Sequence, residues 1–226
     1  MYTRYAIYHT PEAGTPLAEL GAAWLGWDSA QGSARTHPNV DGVDVAAVTA
    51  TPRKYGFHGT IKPPFRLAEG CSIDEVRGAL ATLCADTAPV TLTGLQLAQL
   101  GRFLALVPTG DASDLGALAA RVVQDLDTFR APLSETELSK RRTRRLSPAQ
   151  DAYLVRWGYP YVLDQFRFHM TLSGNLDQAT AQQAEAALNQ LLAPIALTPY
   201  RIAGLTLLGE DAEGMFHHIH HYALTG

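Results

Sequence analysis

The feature that most restricts how this chain can fold is a repeat. Phe57-His58-Gly59-Thr60-Ile61 and Phe168-His169-Met170-Thr171-Leu172 share an aromatic residue, a histidine, a variable position, a threonine and a branched aliphatic residue. Both strings alternate as strands do. The segments after the two strings are also alike. After the first comes an amphipathic helical segment over residues 73–85, opened by Ser72 and Glu75 as a capping box. Two apolar strand-like runs come next, 90–97 and 103–107. After the second string, Asp177 opens a helical segment to about Leu192, and two runs succeed it again, 202–208 and 216–224. His58 precedes Phe103 by 45 residues, and His169 precedes Phe216 by 47. Two strand–helix–hairpin units with near-equal spacing predict a duplicated lobe.

The rest of the chain fits around these units. Residues 4–8 read as a strand and 17–25 as a helix. Residues 28–52, rich in Gly, Pro, Asp and Thr, read as a loop-rich connection. Residues 113–129 carry apolar side chains at helical spacing, and Ser134 with Glu137 opens a further helix. The expected organisation is one bilobal domain over 1–226. Its first lobe covers roughly 40–110 and its second roughly 160–226, with a strand and helix at 1–27 and a helical connection over 111–157.

Alternation decides what each motif can do. Residues i and i+2 of a strand share a face. His58 therefore projects with Thr60, and His169 with Thr171, while Phe57, Ile61, Phe168, Met170 and Leu172 turn toward a core. Two lobes related by a pseudo-twofold axis would bring two imidazoles and two hydroxyls to one cleft. That set suits phosphoryl chemistry. One imidazole removes a proton from water and the other protonates a leaving oxygen, while threonine hydroxyls donate to non-bridging phosphate oxygens. A lone His-x-Thr would say little; the pairing within a repeated framework carries the reading.

Composition narrows the partners. The 226 residues are 46% hydrophobic and 18% charged, the make-up of a globular chain, with a net charge of −4. General affinity for nucleic acid is not implied. No apolar run approaches the ~20 residues of a membrane helix, so no membrane association is expected. The first residues, from Met1, lack the apolar core of a signal peptide, and two cysteines, Cys71 and Cys84, are too few for a disulfide framework. A cytoplasmic setting is the expectation. The charge is uneven, because Lys140, Arg141, Arg142, Arg144 and Arg145 fall within six residues. They are a candidate anion site or a solvated helix face.

Beyond the motifs, the candidate substrate-binding residues are Lys62, Arg130, Tyr5, Arg141 and Arg145. Lys62 follows Thr60 on the expected cleft face. Arg130 sits in a Phe-Arg-Ala-Pro turn. Tyr5 and Tyr8 face opposite sides of the first strand, so at most one reaches the cleft. His217, His218, His220 and His221 tempt a metal reading, but alternation would pair His218 with His220 and His217 with His221. Two histidines without a nearby cysteine do not make a structural zinc site. No metal and no cofactor are expected.

The two motifs resemble the 2H phosphoesterase superfamily, which includes RNA 2′,5′-ligase-like proteins and cyclic nucleotide phosphodiesterases. One branch is closer. Arg4-Tyr5-Ala6-Ile7-Tyr8, the block from Tyr55 to Leu67, Phe129-Arg130-Ala131-Pro132-Leu133, Trp157-Gly158-Tyr159-Pro160-Tyr161-Val162 and Phe166 to Leu172 are similar to the DUF1045 family. Members are often described as phosphonate-metabolism proteins because they accompany carbon–phosphorus lyase genes. The resemblance implies an α+β bilobal, LigT-like fold. Two pseudo-symmetric lobes of antiparallel sheet plus helices would flank a central cleft, with His58, Thr60, His169 and Thr171 as the catalytic set. It implies a metal-independent cyclic phosphodiesterase acting on a small phosphorylated substrate, such as a ribose phosphate bearing a cyclic 1,2-phosphate. An RNA-end 2′,3′-cyclic phosphodiesterase or ligase-like enzyme is possible but not favoured. A non-catalytic nucleotide- or sugar-phosphate-binding module is a further alternative. Gly59 stands where the family pattern carries Ala or another small residue, an exchange expected to be harmless.

Overall fold

A computed structural model describes residues 2–143 and 145–226; Met1 and Arg144, a member of the basic run, lie outside the described residues. In chain order the strands are β1 (Arg4–His9), β2 (Trp27–Asp28), β3 (Ser33–Ala34), β4 (Gly59–Phe65), β5 (Val90–Leu92), β6 (Gly94–Leu100), β7 (Phe103–Thr109), β8 (Met170–Thr171), β9 (Tyr200–Ile202), β10 (Gly204–Glu210) and β11 (Phe216–Ala223). The α-helices are α1 (Pro16–Leu25), α2 (Val45–Val48), α3 (Ile73–Ala85), α4 (Ser113–Asp125), α5 (Glu135–Arg142), α6 (Pro148–Trp157) and α7 (Gln178–Leu192).

The class is α+β with antiparallel pairing. Seven strands form one sheet in the order β11-β10-β1-β4-β8-β7-β6. The two motif strands, β4 and β8, are neighbours at its middle, and Gly59 pairs with Met170. The hairpin that follows each motif packs beside the other unit's half. β7 lies against β8, whereas β10 reaches β4 only through β1.

Helix starts follow local chemistry. Ser72 and Glu75 complete a capping box at α3, Ser134 and Glu137 do so at α5, and Asp177 caps α7. Each satisfies backbone N–H groups that the first helical turn leaves unpaired. α3, α4 and α7 bury their apolar stripes on one face of the sheet, where Ile7, Ile61, Phe168, Met170, Leu205 and Leu207 belong to the main core. Trp24, fully buried on α1, donates its indole N–H to the Leu172 carbonyl at 2.7 Å and ties that helix to the end of the second motif. Among the described residues, the opposite face carries a small apolar cluster of Ala6, Tyr8, Leu208 and Phe216, with Tyr55 against it. That thinly covered face is left open for chemistry.

Two predicted strands are each divided in two. The run over 90–97 breaks between β5 and β6, and the run over 202–208 lies across β9 and β10. β5 and β9 then pair with each other in a separate ribbon. Gly94 and Gly204 start the strands after the breaks. A Cβ at Gly94 would lie 2.5 Å from the Thr198 hydroxyl, and one at Gly204 would lie 2.6 Å from the Tyr222 carbonyl. The repeat is therefore deeper than hydropathy alone displays.

Candidate active site

The Gly59–Met170 pair fixes the arrangement. Antiparallel partners share a face, so with Gly59 and Met170 turned to the core, the flanking Thr60 and Thr171 turn to the other face. The apolar members, Phe57, Ile61, Phe168, Met170 and Leu172, lie in the main core as the alternation predicts. Gly59 shares that core face. A Cβ there would come within 2.3 Å of the Phe168 ring: the aromatic residue of one motif occupies the space that the glycine of the other leaves.

Each histidine is held in the same way. Nδ1 of His58 donates to the Gly56 carbonyl at 2.9 Å, and Nδ1 of His169 donates to the Arg167 carbonyl at 2.8 Å. A carbonyl can only accept, so in both rings Nδ1 carries a proton; in His58, whose pKa lies at about 4, Nε2 holds a lone pair. At His58 that lone pair meets the Thr60 hydroxyl at 3.1 Å. Gly56 makes the turn possible: it holds φ 68°, a left-handed conformation that suits glycine. Beneath the His58 ring, Tyr8 stacks at 3.7 Å between centroids. Phe103 sits 5.7 Å from the His169 ring.

Burial lowers the pKa of His58 from 6.5 to about 4; the Gly56 carbonyl opposes this shift, and the charges of His169 and His218 add to it. His58 is therefore neutral at pH 7. Burial also pushes the Tyr8 phenol well above its ordinary range, so it stays protonated. Thr60 and His169 open onto a cleft of about 360 Å³, walled by Tyr159, Tyr161, Phe166 and Arg167.

The outer candidates fare unevenly. Lys62 does not face this cleft. Tyr8 pairs with Thr60 but Ile7 pairs with Lys62, a β-bulge at Ile61. The extra residue turns Lys62 to the core face, where it is 2% exposed and donates to the Val123 carbonyl at 3.0 Å. Burial lowers its pKa to about 8, against the opposing pull of Asp127. Tyr5 is likewise in the main core; of the two first-strand tyrosines, Tyr8 reaches the site. Arg130 is committed internally, donating to Asp127 at 2.7 Å and to the Arg156 carbonyl at 3.0 Å. Arg141 lies over the Tyr159 ring at 5.6 Å. Arg145 is exposed in the α5–α6 connection, and Arg142 is paired with Asp151.

The histidine-rich strand is also reordered by a bulge. His221 pairs with Thr206, His220 with Leu207 and His218 with Leu208. His218 and His221 therefore share a face, contrary to simple alternation. His217 contacts Asp211 at 2.6 Å, and His221 meets the Thr206 hydroxyl at 2.9 Å. Among the described residues, no group of three or more His, Cys, Asp or Glu side chains is placed to hold a metal ion. No described helix is long and apolar enough to cross a membrane.

The wall residues Tyr159, Tyr161 and Phe166 were not singled out from the sequence for this role. Their place in the family-like blocks from Trp157 to Val162 and from Phe166 to Leu172, just before and across the second motif, is the available signal.

A family described as "Protein of unknown function (DUF1045)" matches residues 60–217. Two curated relatives carry the name ribose 1,5-bisphosphate phosphokinase PhnN. The protein of Janthinobacterium sp. (strain Marseille) is 39% identical over 94% of this chain and 48% of its own length. That of Laribacter hongkongensis (strain HLHK9) is 37% identical over 77% of this chain and 41% of its own length. The chain thus spans about half the length of these relatives or less. Among solved structures, E. coli LigT in apo form aligns over 100% of this chain and 99% of that chain, at 16% identity and a TM-score of 0.47.

Proposed function

This chain belongs to the DUF1045 family, and we propose that it is a phosphoesterase that opens a cyclic phosphodiester by acid–base catalysis from two histidines, without a metal ion. The observation that carries this reading is the matched anchoring of His58 and His169. On paired strands, each ring gives Nδ1–H to the carbonyl two residues earlier, so each Nε2 is free to handle a proton.

The neutral state of His58 suggests the division of labour. His58, neutral at pH 7, takes a proton from water as the water oxygen bonds to phosphorus. The ring P–O bond breaks, and protonated His169 gives its Nε2 proton to the leaving oxygen. One proton is taken and one given, and exchange with solvent restores both rings. Thr60, released from His58 Nε2, and Thr171 donate to the non-bridging oxygens. Tyr8 keeps the His58 ring flat against the sheet. Each proton transfer contributes ~10²–10⁴-fold, and the strain of a five-membered cyclic phosphate lowers what catalysis must supply.

The proposed substrate is ribose 5-phosphate bearing a 1,2-cyclic phosphate. Breaking its P–O2 bond gives ribose 1,5-bisphosphate, the compound in the relatives' name. Because this chain corresponds to only part of those proteins, the phosphokinase activity named for the whole is not assigned to it. In this reading, the matching half prepares what a kinase consumes. A second reading is a 2′,3′-cyclic nucleotide or RNA end, favoured by the aromatic wall of Tyr159, Tyr161 and Phe166, on which a base could stack.

The test is turnover of both cyclic phosphates in excess EDTA by wild type, His58→Ala and His169→Ala. The expected result is activity in wild type and a loss of about 10²-fold or more in each variant. Unimpaired turnover in both variants would sink the two-histidine reading, and abolition of wild-type activity by EDTA would sink metal independence.

A further inference from the structure

Beside the cleft, at the end of the sheet where β1 begins and β4 ends, lies a second cavity. Arg4, Lys62, Arg66, Arg130 and Arg141 all line it, with Glu137. Pro63 lines both this cavity and the catalytic cleft. The cationic side chains are unequally matched. Arg4 pairs with Glu210, Arg66 with Glu137 and Arg130 with Asp127. Lys62 lies 3.8 Å from the same Asp127. Arg141 has no carboxylate within ion-pair distance among the described residues. It is half-buried against Tyr159, and Glu137 acts on it only at longer range. A guanidinium that has lost water without gaining an anion is an unfavourable arrangement, and its planar fork suits a phosphate.

We propose that this cavity is a second anion subsite, with Arg141 as its principal ligand, which holds the non-reacting phosphate monoester of a doubly phosphorylated substrate. Position supports it. Tyr159, under Arg141, also lines the catalytic cleft with Thr60 and His169. On β1, Arg4 and Tyr8 share a face four residues apart, ~13 Å along a strand. Tyr8 lies beneath His58 and Arg4 lines the second cavity, so long side chains from both ends can close on one sugar. The identity of the reacting group rests on the cyclic-phosphate reading; binding of the second phosphate does not.

The experiment therefore has a binding arm and a turnover arm. Ribose 5-phosphate and ribose are titrated calorimetrically into wild type, Arg141→Met, Arg142→Met and His169→Ala. Wild type is expected to bind ribose 5-phosphate far more tightly than ribose. Arg141→Met should weaken ribose 5-phosphate by about 10- to 100-fold, the usual range for a lost charge-assisted contact. Arg142→Met, exposed and paired with Asp151, should change it by less than about twofold. Wild-type affinity in folded Arg141→Met, or a loss confined to His169→Ala, overturns the subsite, as does failure of wild type to bind. Should Arg141→Met misfold, Arg141→Lys decides: charge without the fork should still lose affinity, and full retention overturns the proposal. In the turnover arm, Arg141→Met should raise KM for the 5-phosphorylated cyclic sugar and not for its dephosphorylated form. No turnover of either sugar by wild type would remove the catalytic reading while leaving the binding result to judge the subsite.

Discussion

His58→Gln should flatten the acid sensitivity of the fold. His58 titrates at about 4 in the folded chain against an ordinary value of 6.5. This difference corresponds to about 3 kcal/mol between the protonation states. The sign follows from proton counting. Between the two values the unfolded chain binds a proton that the folded chain refuses, so stability rises with pH across this window and is lost as pH falls from 6.5 toward 4. Linkage puts the loss from this one group at about 2 kcal/mol by about pH 5 and close to nothing near pH 7. His9 and His218 are also lowered to about 4 by burial, but both proteins in the comparison contain them, so to first order their contributions cancel. Urea unfolding of wild type and His58→Gln at about pH 7 and about pH 5 measures the difference directly. The variant should lose about 2 kcal/mol less than wild type between the two pH values. Equal losses would mean that the His58 ring is charged as easily in the fold as in water, and the assignment of His58 as the neutral base would fall with it.

Two further outcomes come from the packing. Gly59→Ala should cost about 1–3 kcal/mol of stability by overpacking against Phe168 and should lower turnover, since Phe168 adjoins His169; thermal melts and kcat decide, and a neutral result would refute the close approach. Tyr8→Phe should retain most activity because the ring supports His58, whereas Tyr8→Leu should lose up to about tenfold, the worth of a stacked pair; equal loss in both variants would shift the role to the hydroxyl.

What the sequence made legible was local. Capping residues such as Ser72, Ser134 and Asp177 act within one helical turn, so the starts of α3, α5 and α7 could be read directly. Alternation within five residues was enough to place His58 with Thr60 and His169 with Thr171. The misreadings arose where pairing partners decide the matter. Lys62 follows the alternation of its own strand until β1 imposes a bulge at Ile61. His218 and His221 come together by the same device on β11. Tyr5 and Tyr8 were indistinguishable without knowing which face of β1 meets the helices. The internal commitment of Arg130 had a local signal in Asp127, three residues earlier. The order of the sheet had none, because the placement of β1 between β4 and β10 depends on contacts far apart in the chain.

The bulge at Ile61 also has a consequence for evolution. Two residues apart on one strand, Thr60 serves the cleft and Lys62 the buried charge network around Asp127. Insertion or deletion of one residue between them would exchange these destinations, sending an ammonium toward the cleft or leaving Asp127 and its arginines without it. β1 on one side and β8 on the other hold β4 in register, so the chain has little freedom to absorb such a change. This short stretch should therefore tolerate changes of side chain far better than changes of length, and relatives that alter its length should differ in what they bind as well as in how well they fold.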